Sequence, residues 1–191
     1  MTDSIPYHIG TPGQKWTDAD KAQWLAQVTI KRSYQDEVVS KLSPLAKEFE
    51  QVQYGALSYD VDKYPLFAFK SRNWDNSKKT ILVTGGVHGY ETSGVHGAIQ
   101  FLATKAKHYS QFFNIAVAPC ISPWGYETIN RWNPNATDPN RSFYADSPAE
   151  ESAALIKLLA DLDVEIFAHI DLHETTDTDN SEFRPALAAQ S

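Results

Sequence analysis

The sequence contains a single cysteine, Cys120, among its 191 residues. An intrachain disulfide is therefore impossible, and so is a structural zinc site built from several cysteines of one chain. No apolar run approaches the roughly 18 residues that a membrane helix needs. Residues 1–10 also lack the basic segment and the apolar run of a secretory signal. We therefore expect a cytoplasmic protein that does not enter a membrane.

Positive charge is scarce as well, because 24 acidic residues outnumber 17 lysines and arginines and give a formal net charge of -7. Proteins that bind nucleic acid usually carry a basic surface, so we expect no nucleic-acid partner. Disorder is not expected, since 42% of the residues are hydrophobic and 12% are aromatic. The length fits one globular domain. The oligomeric state cannot be inferred from the sequence.

The first part of the chain has the pattern of helices. Thr17 and Asp20 have the spacing of a capping box, and apolar residues recur at helical intervals as far as Phe49. We therefore predict a helical segment at residues 1–53, packed on a domain formed by residues 54–191.

The second part of the chain alternates between strands and helices. The predicted strands lie at residues 56–70 (one or two strands), 80–87, 112–120 and 164–172, and the predicted helices at 92–108 and 147–162. This alternation predicts a largely parallel sheet with both faces covered. Ser147 and Glu150 have the spacing of a second capping box. Residues 121–146 form a long irregular segment, of the kind that usually has a function.

Three side chains that suit a metal ion fall at the carboxyl ends of two predicted strands. His88 and Glu91 follow one strand, and His173 ends another. Ligands bind at this edge of open α/β sheets, and Gly89 permits a tight turn between the first two side chains. Three protein ligands leave a position for water, as in catalytic zinc sites. A lone His-x-x-Glu also occurs by chance, so the placement after strands is what favours zinc.

Four motifs in order resemble those of the zinc carboxypeptidase family typified by carboxypeptidase A. They are His88-Gly89-Tyr90-Glu91, Arg131, Asp138-Pro139-Asn140-Arg141 and Asp171-Leu172-His173. The resemblance runs from about residue 56 to residue 173. It implies a three-layer α/β/α fold with a mostly parallel, mixed central sheet, Zn2+ as cofactor, and removal of a C-terminal amino acid from a peptide.

The resemblance also implies a role for each motif residue. The three side chains at the strand ends would bind zinc, and Asp138 would accept the second ring N–H of His88 and so fix its tautomer. Arg131 would stabilise the oxyanion that develops on the scissile carbonyl. Asn140 and Arg141 would hold the free carboxylate of the substrate, which a planar guanidinium can bind through two N–H groups.

The family places its general-base glutamate, and a tyrosine that closes over the substrate, well beyond the third zinc ligand. Here the sequence ends at Ser191, 18 positions after His173 (191 minus 173). Glu174 does not match the position of the base, and next to a ligand in a strand it would point the opposite way. We therefore expect the base beyond residue 191 and regard the chain as the first, incomplete part of a catalytic domain.

Two other functions fit the same residues. The aspartoacylase and succinylglutamate desuccinylase branch of the fold also uses His-Gly-x-Glu, an Asn-Arg pair and Asp-Leu-His. An N-acyl-amino-acid deacylase is therefore an alternative, with an N-acyl amino acid that has a free carboxylate as its substrate. A non-catalytic zinc-binding module is a third interpretation, because the general base is not in this chain.

Overall fold

The structure, a computed structural model, describes residues 8–174. Its strands are β1 (Phe49–Ala56), β2 (Pro65–Ser71), β3 (Thr80–Gly85), β4 (Asn114–Ala118) and β5 (Ile166–Leu172). They form one sheet in the order β1-β2-β4-β3-β5. The pairs β1–β2 and β2–β4 are antiparallel, whereas β4–β3 and β3–β5 are parallel. The predicted mixed sheet is thus confirmed.

The main helices are α1 (Asp18–Leu25), α2 (Thr92–Phe101), α3 (Pro123–Thr128) and α4 (Glu150–Leu162). Shorter helical turns lie at Gln35–Val39, Ser40–Leu42, Ser43–Lys47, Leu102–Ala106, Lys107–Tyr109 and Pro139–Arg141. No helix among residues 8–174 is long and apolar enough to cross a membrane.

Strand β4 divides the interior into two cores. Ile115 and Val117 belong to the larger core with Val95 of α2, whereas Ala118 belongs to the smaller core with Leu155 of α4. Successive residues of a strand point to opposite faces of the sheet. The sheet is therefore the middle of three layers, as predicted.

The N-terminal segment contributes to the larger core. Trp24, Tyr34, Val38 and Leu42 are buried there beside residues of the strands. The helical interpretation is wrong at its end, because Phe49 begins β1 and pairs with β2 instead of continuing a helix. Strand pairing with a distant segment overrides a local periodicity. The division into residues 1–53 and 54–191 stays a prediction.

Of the two predicted capping boxes, one is confirmed and one is wrong. At α1, Thr17 Oγ1 accepts from the Asp20 backbone N–H at 3.3 Å, and the Asp20 carboxylate accepts from the Thr17 N–H at 2.7 Å. At α4 the cap residue is Ala149, which has no side-chain bond. The Glu150 carboxylate instead accepts from the backbone N–H of Ser58 at 2.7 Å, a partner 92 positions away.

The segment 121–146 is less irregular than predicted. It contains α3, every residue of which is buried, and the 3-10 turn Pro139–Arg141. The sequence signal was weak because α3 holds polar residues that bond inside the protein. Glu127 is an example: its carboxylate accepts from the Tyr34 N–H and from the Tyr64 hydroxyl, both at 2.9 Å.

Candidate metal centre

The two strands that carry the candidate ligands are neighbours in the sheet. Strand β3 ends at Gly85 and β5 at Leu172, and these two residues pair with each other in parallel register. The chain then continues from β3 to His88 and from β5 to His173. Because parallel strands end at the same edge, residues 85 positions apart meet there (173 minus 88).

His88, Glu91 and His173 converge on one carboxylate oxygen. His88 Nδ1 lies 2.7 Å from Glu91 Oε1, and His173 Nε2 lies 3.3 Å from the same atom. One ligand atom from each residue lies within 4.8 Å of the others. Zinc bonds of roughly 2.0–2.2 Å place tetrahedral ligand atoms about 3.5 Å apart, so small side-chain adjustments accommodate the ion. This donor set fits zinc.

The three candidate ligands differ in how far they are exposed to solvent. His88 is 1% exposed and Glu91 0% exposed, whereas the His173 side chain is 36% exposed. The interior holds the first two side chains, and the third is reached from solvent. Such an arrangement can hold an ion rigidly on one side and leave the other side open to water or substrate.

The Asp138 carboxylate contacts His88 and two further residues around it. Its Oδ1 atom lies 3.1 Å from His88 Nε2 and accepts from the Asn140 backbone N–H at 2.8 Å. Its Oδ2 atom accepts from Arg131 Nε at 3.1 Å and pairs with Arg131 Nη2 at 3.1 Å. Asp138 therefore faces Nε2 of His88, the ring nitrogen that points away from Glu91.

The pKa values of Asp138 and His88 are set by burial and by hydrogen bonding. Burial raises the pKa of Asp138, but its bonds with His88 and the nearby charge of Arg131 outweigh burial and hold that pKa below 3.8. Burial lowers the pKa of His88, but its bonds with Asp138 and Glu91 outweigh burial and leave that pKa above 6.5. The carboxylate form of Asp138 is therefore favoured next to the ring.

A second carboxylate, Asp171, orients His173 and has no role in the sequence predictions. Its Oδ2 atom lies 2.6 Å from His173 Nδ1, and its Oδ1 atom accepts from the Thr84 hydroxyl at 2.6 Å. The same hydroxyl lies 2.8 Å from Nε2 of His169, which is exposed. The spacing Asp-x-His could have indicated this contact, because residues two apart in a strand share a face.

The remaining predicted residues lie around the ligands at different depths. Arg131 Nη1 donates to the Tyr90 hydroxyl at 3.2 Å, and the Tyr90 ring stacks on His88 at 5.6 Å between centroids. Asn140 Nδ2 lies 3.4 Å from His173 Nε2. Arg141 is exposed, and its Nη1 atom lies 3.5 Å from the Asn140 carbonyl oxygen. Tyr90 was not predicted to take part in the site.

No protein-family model and no curated protein sequence matches the chain. Solved structures do match. A proposed metallopeptidase from Shewanella denitrificans superposes with a TM-score of 0.63 and 20% identity, over 72% of this chain and 52% of that one. A metallo-carboxypeptidase from Burkholderia cenocepacia gives 0.57 and 17%, over 72% and 40%. The chain has a zinc carboxypeptidase fold.

A third structure with this fold is a metallo-carboxypeptidase from Pseudomonas aeruginosa in complex with (2-guanidinoethylmercapto)succinic acid. It matches with a TM-score of 0.55 and 17% identity, over 75% of this chain and 40% of that one. Sequence identities this low relate the folds and not the activities. The chain spans 52% of the length of the first structure and 40% of the other two.

Within the zinc carboxypeptidase fold, Gly89 is required for a reason that differs from the prediction. Between the end of β3 and Glu91, the residue with a left-handed backbone is Gly86, at φ +63°. A Cβ atom on Gly89 would instead lie 1.7 Å from the backbone carbon of Gly125 in α3. The Gly89 N–H also donates to the Asn130 carbonyl at 2.8 Å. Close approach of two backbones, and not a tight turn alone, therefore requires glycine here.

Glu174, directly after the third ligand, is turned toward helix α2. Its Oε2 atom accepts from the Ser93 backbone N–H at 3.0 Å and from the Ser93 hydroxyl at 2.8 Å. A carboxylate at a helix N-terminus satisfies backbone donors that have no partner in the helix. Glu174 thus joins β5 to α2. The further acids of the tail, Asp177 and Asp179, lie outside the described residues.

Proposed function

We propose that the chain carries the metal site of a zinc-dependent carboxypeptidase, a hydrolase that removes the C-terminal amino acid from a peptide. The convergence of His88, Glu91 and His173 on a single oxygen atom supports this most directly. The two imidazoles each have their own carboxylate partner, which is typical of metal-ligating histidines. The likeness in fold to metallo-carboxypeptidases supports the same class.

In this proposal His88, Glu91 and His173 hold Zn2+. When bound, the ion polarises the oxygen of a carbonyl group and lowers the pKa of a coordinated water. Asp138 and Asp171 hold the two rings in the orientation that presents one nitrogen of each to Glu91. The exposed side of His173 gives substrate access to the site.

Three further residues would bind the substrate. Arg131 lies near His88, and its guanidinium contacts Asp138 and Tyr90. In this proposal its positive charge would stabilise the oxyanion that develops on the scissile carbonyl. Asn140 and Arg141 would hold the terminal carboxylate of a peptide. The exposure of Arg141 leaves its planar guanidinium accessible for such a contact.

A second candidate, an N-acyl-amino-acid deacylase, fits the same strand end. Asp171 bonds to His173 in an Asp-Leu-His strand end, which resembles the aspartoacylase and succinylglutamate desuccinylase branch. A non-catalytic zinc module is the third candidate, since Glu174 is engaged with Ser93. A general base beyond residue 191 and a cytoplasmic location stay predictions.

Metal analysis tests the premise that these candidates share. We expect zinc-loaded chain to retain stoichiometric zinc after gel filtration, and we expect His88→Ala and His173→Ala to lose it. His108→Ala is the matched control, because His108 is exposed and contacts the Tyr109 and Phe112 rings away from the site. Absence of zinc uptake by the parent chain, or unchanged zinc in His88→Ala, would show that the site is wrong.

Substrate assays of the zinc-loaded full-length protein, including any residues that follow Ser191, separate the three candidates. A carboxypeptidase should release the last residue of a peptide with a free carboxylate and leave the C-terminally amidated peptide intact. Hydrolysis of N-acyl amino acids alone would reject the carboxypeptidase and favour the deacylase. Zinc binding without hydrolysis of either substrate would favour the non-catalytic module.

A further inference from the structure

Arg32, in the N-terminal segment, reaches the turn that carries two of the three candidate ligands. Its Nη2 atom donates to the Gly89 carbonyl oxygen at 2.7 Å, and its Nη1 atom donates to the Thr92 hydroxyl at 2.7 Å. Its Nε atom donates to the Tyr126 carbonyl oxygen at 2.6 Å. All three sides of one planar guanidinium are therefore used, and two of them bind the turn.

The two acceptors in the turn lie on either side of Glu91 in sequence. Glu91 is the cap residue of α2, at φ -76° and ψ 64°, so its backbone is not helical and its side chain makes no capping bond. Its carboxylate is instead directed inward, to His88. Inside the turn, the Glu91 N–H donates to the His88 carbonyl oxygen at 3.2 Å. From outside, Arg32 binds the Gly89 carbonyl oxygen, and the Gly89 N–H donates to the Asn130 carbonyl oxygen.

Arg32 also has contacts outside the turn that hold its guanidinium in place. Its carbon atom lies 3.5 Å from the centroid of the Tyr126 ring, which is fully buried. The Tyr126 hydroxyl donates to Glu37 at 2.8 Å and lies 3.1 Å from His96 Nε2. The backbone N–H of Arg32 donates to the Glu127 carbonyl at 3.2 Å. The Tyr126 ring and the backbone bond to Glu127 therefore restrict the conformations of the Arg32 side chain.

We propose that Arg32 is a positioning residue for the metal centre. It holds the Gly89 carbonyl oxygen and the Thr92 hydroxyl, which lie on either side of Glu91 in sequence, and so presets the ligands His88 and Glu91. The inference rests on the proposed metal site. A lysine could supply the charge but not the fork of N–H groups in one plane. Groups that orient metal ligands typically change metal affinity by about 10–100-fold when removed.

Competition with a chromophoric chelator, at a temperature where each variant is folded, measures zinc affinity in the chain and its variants. We expect Arg32→Lys and Arg32→Gln to bind zinc about 10–100-fold more weakly than the parent. Glu127→Gln is the matched control. It disturbs the same junction by weakening the pairing with Lys63, 2.6 Å away, but leaves the contacts of the turn intact. It should unfold at a lower temperature and bind zinc normally.

The possible results separate the positioning role from the metal site and from general stability. A parent chain that fails to bind zinc would overturn the metal site and with it this inference. Parent-like affinity in both Arg32 variants would overturn the positioning role alone, as would an equal loss of affinity in Glu127→Gln. Parent-like affinity in Arg32→Lys would show that charge suffices and would overturn the geometric argument. If Arg32→Gln does not fold, Arg32→Lys decides.

Discussion

Asp138→Ala would remove the carboxylate that accepts hydrogen bonds from several groups around His88. The carboxylate is buried and is shared by His88 Nε2, the Asn140 backbone N–H and two nitrogens of Arg131. Alanine would leave all of these donors without their acceptor. The ring of His88 would also lose the partner that fixes its tautomer.

The cost in stability follows from which donors are buried. A buried donor that loses its acceptor costs about 1–3 kcal/mol, so His88 and the Asn140 N–H together predict a loss of about 2–6 kcal/mol in unfolding free energy. Arg131 would add to this loss, because its side chain is only 21% exposed and would lose its charge partner while it retains a bond to Tyr90. Zinc affinity should fall about 10–100-fold as the orientation of His88 is lost.

The stability effect should also depend on pH, in a direction set by the lowered pKa of Asp138. A carboxyl group whose pKa is lower in the folded state stabilises the protein at pH values above its unfolded pKa, about 3.9. That contribution is lost as the pH falls through the lower, folded value. The gap in stability between the parent and Asp138→Ala should therefore narrow below about pH 4.

Urea unfolding followed by tryptophan fluorescence measures the first effect, and chelator competition measures the second. Asp138→Asn is the matched control, since its amide oxygen can still accept from His88 and from the Asn140 N–H. We expect its zinc affinity to lie between those of the parent and Asp138→Ala. Equal urea midpoints and equal zinc affinities for Asp138→Ala and the parent would refute the argument.

Three further substitutions test separate features. Burial raises the pKa of Glu151 above its ordinary 4.5, so the contribution of this carboxyl group to folding stability is present below that pH and is lost as the pH rises through the folded pKa. Glu151→Gln should therefore become more stable relative to the parent as the pH rises from acid to neutral. A difference in unfolding free energy that stays constant over this range would contradict the argument. Gly89→Ala should lower the unfolding free energy by more than about 3 kcal/mol and abolish zinc binding, because the new methyl group would overlap the backbone of Gly125. Thermal unfolding like that of the parent would contradict the close contact. Asp171→Ala should weaken zinc binding about 10–100-fold by releasing His173, as chelator competition would detect.

The features predicted correctly from sequence are those that depend on neighbouring residues or on strand ends. The buried run before His88 predicted a strand, and strand ends predicted that His88 and His173 would meet. The capping box of Thr17 and Asp20 is entirely local and is confirmed. Periodicity and short motifs contain this information, because their physical cause lies within a few residues.

What could not be predicted depends on partners far away in the chain. The Glu150 carboxylate is held by Ser58, 92 positions away, and so does not form the capping box that its spacing indicated. Arg32 meets Gly89 across 57 positions, and no local pattern distinguishes it from a surface arginine. Gly89 itself was assigned to a tight turn, whereas the backbone that excludes a side chain belongs to Gly125.

Among residues 8–174, strand β5 pairs only with β3, at one edge of the sheet, and this has a consequence for the order in which the structure opens. Phe167 and Ile170 of this strand are 55% and 49% exposed, so packing contributes little to keeping it in place. An ion bound by His88, Glu91 and His173 would act as a cross-link that closes a loop of some 85 residues. In the chain-entropy picture, such a link disfavours the open chain by roughly 4.5 kcal/mol. Zinc should therefore slow amide hydrogen exchange in β5 more than in β4, which lies between two other strands.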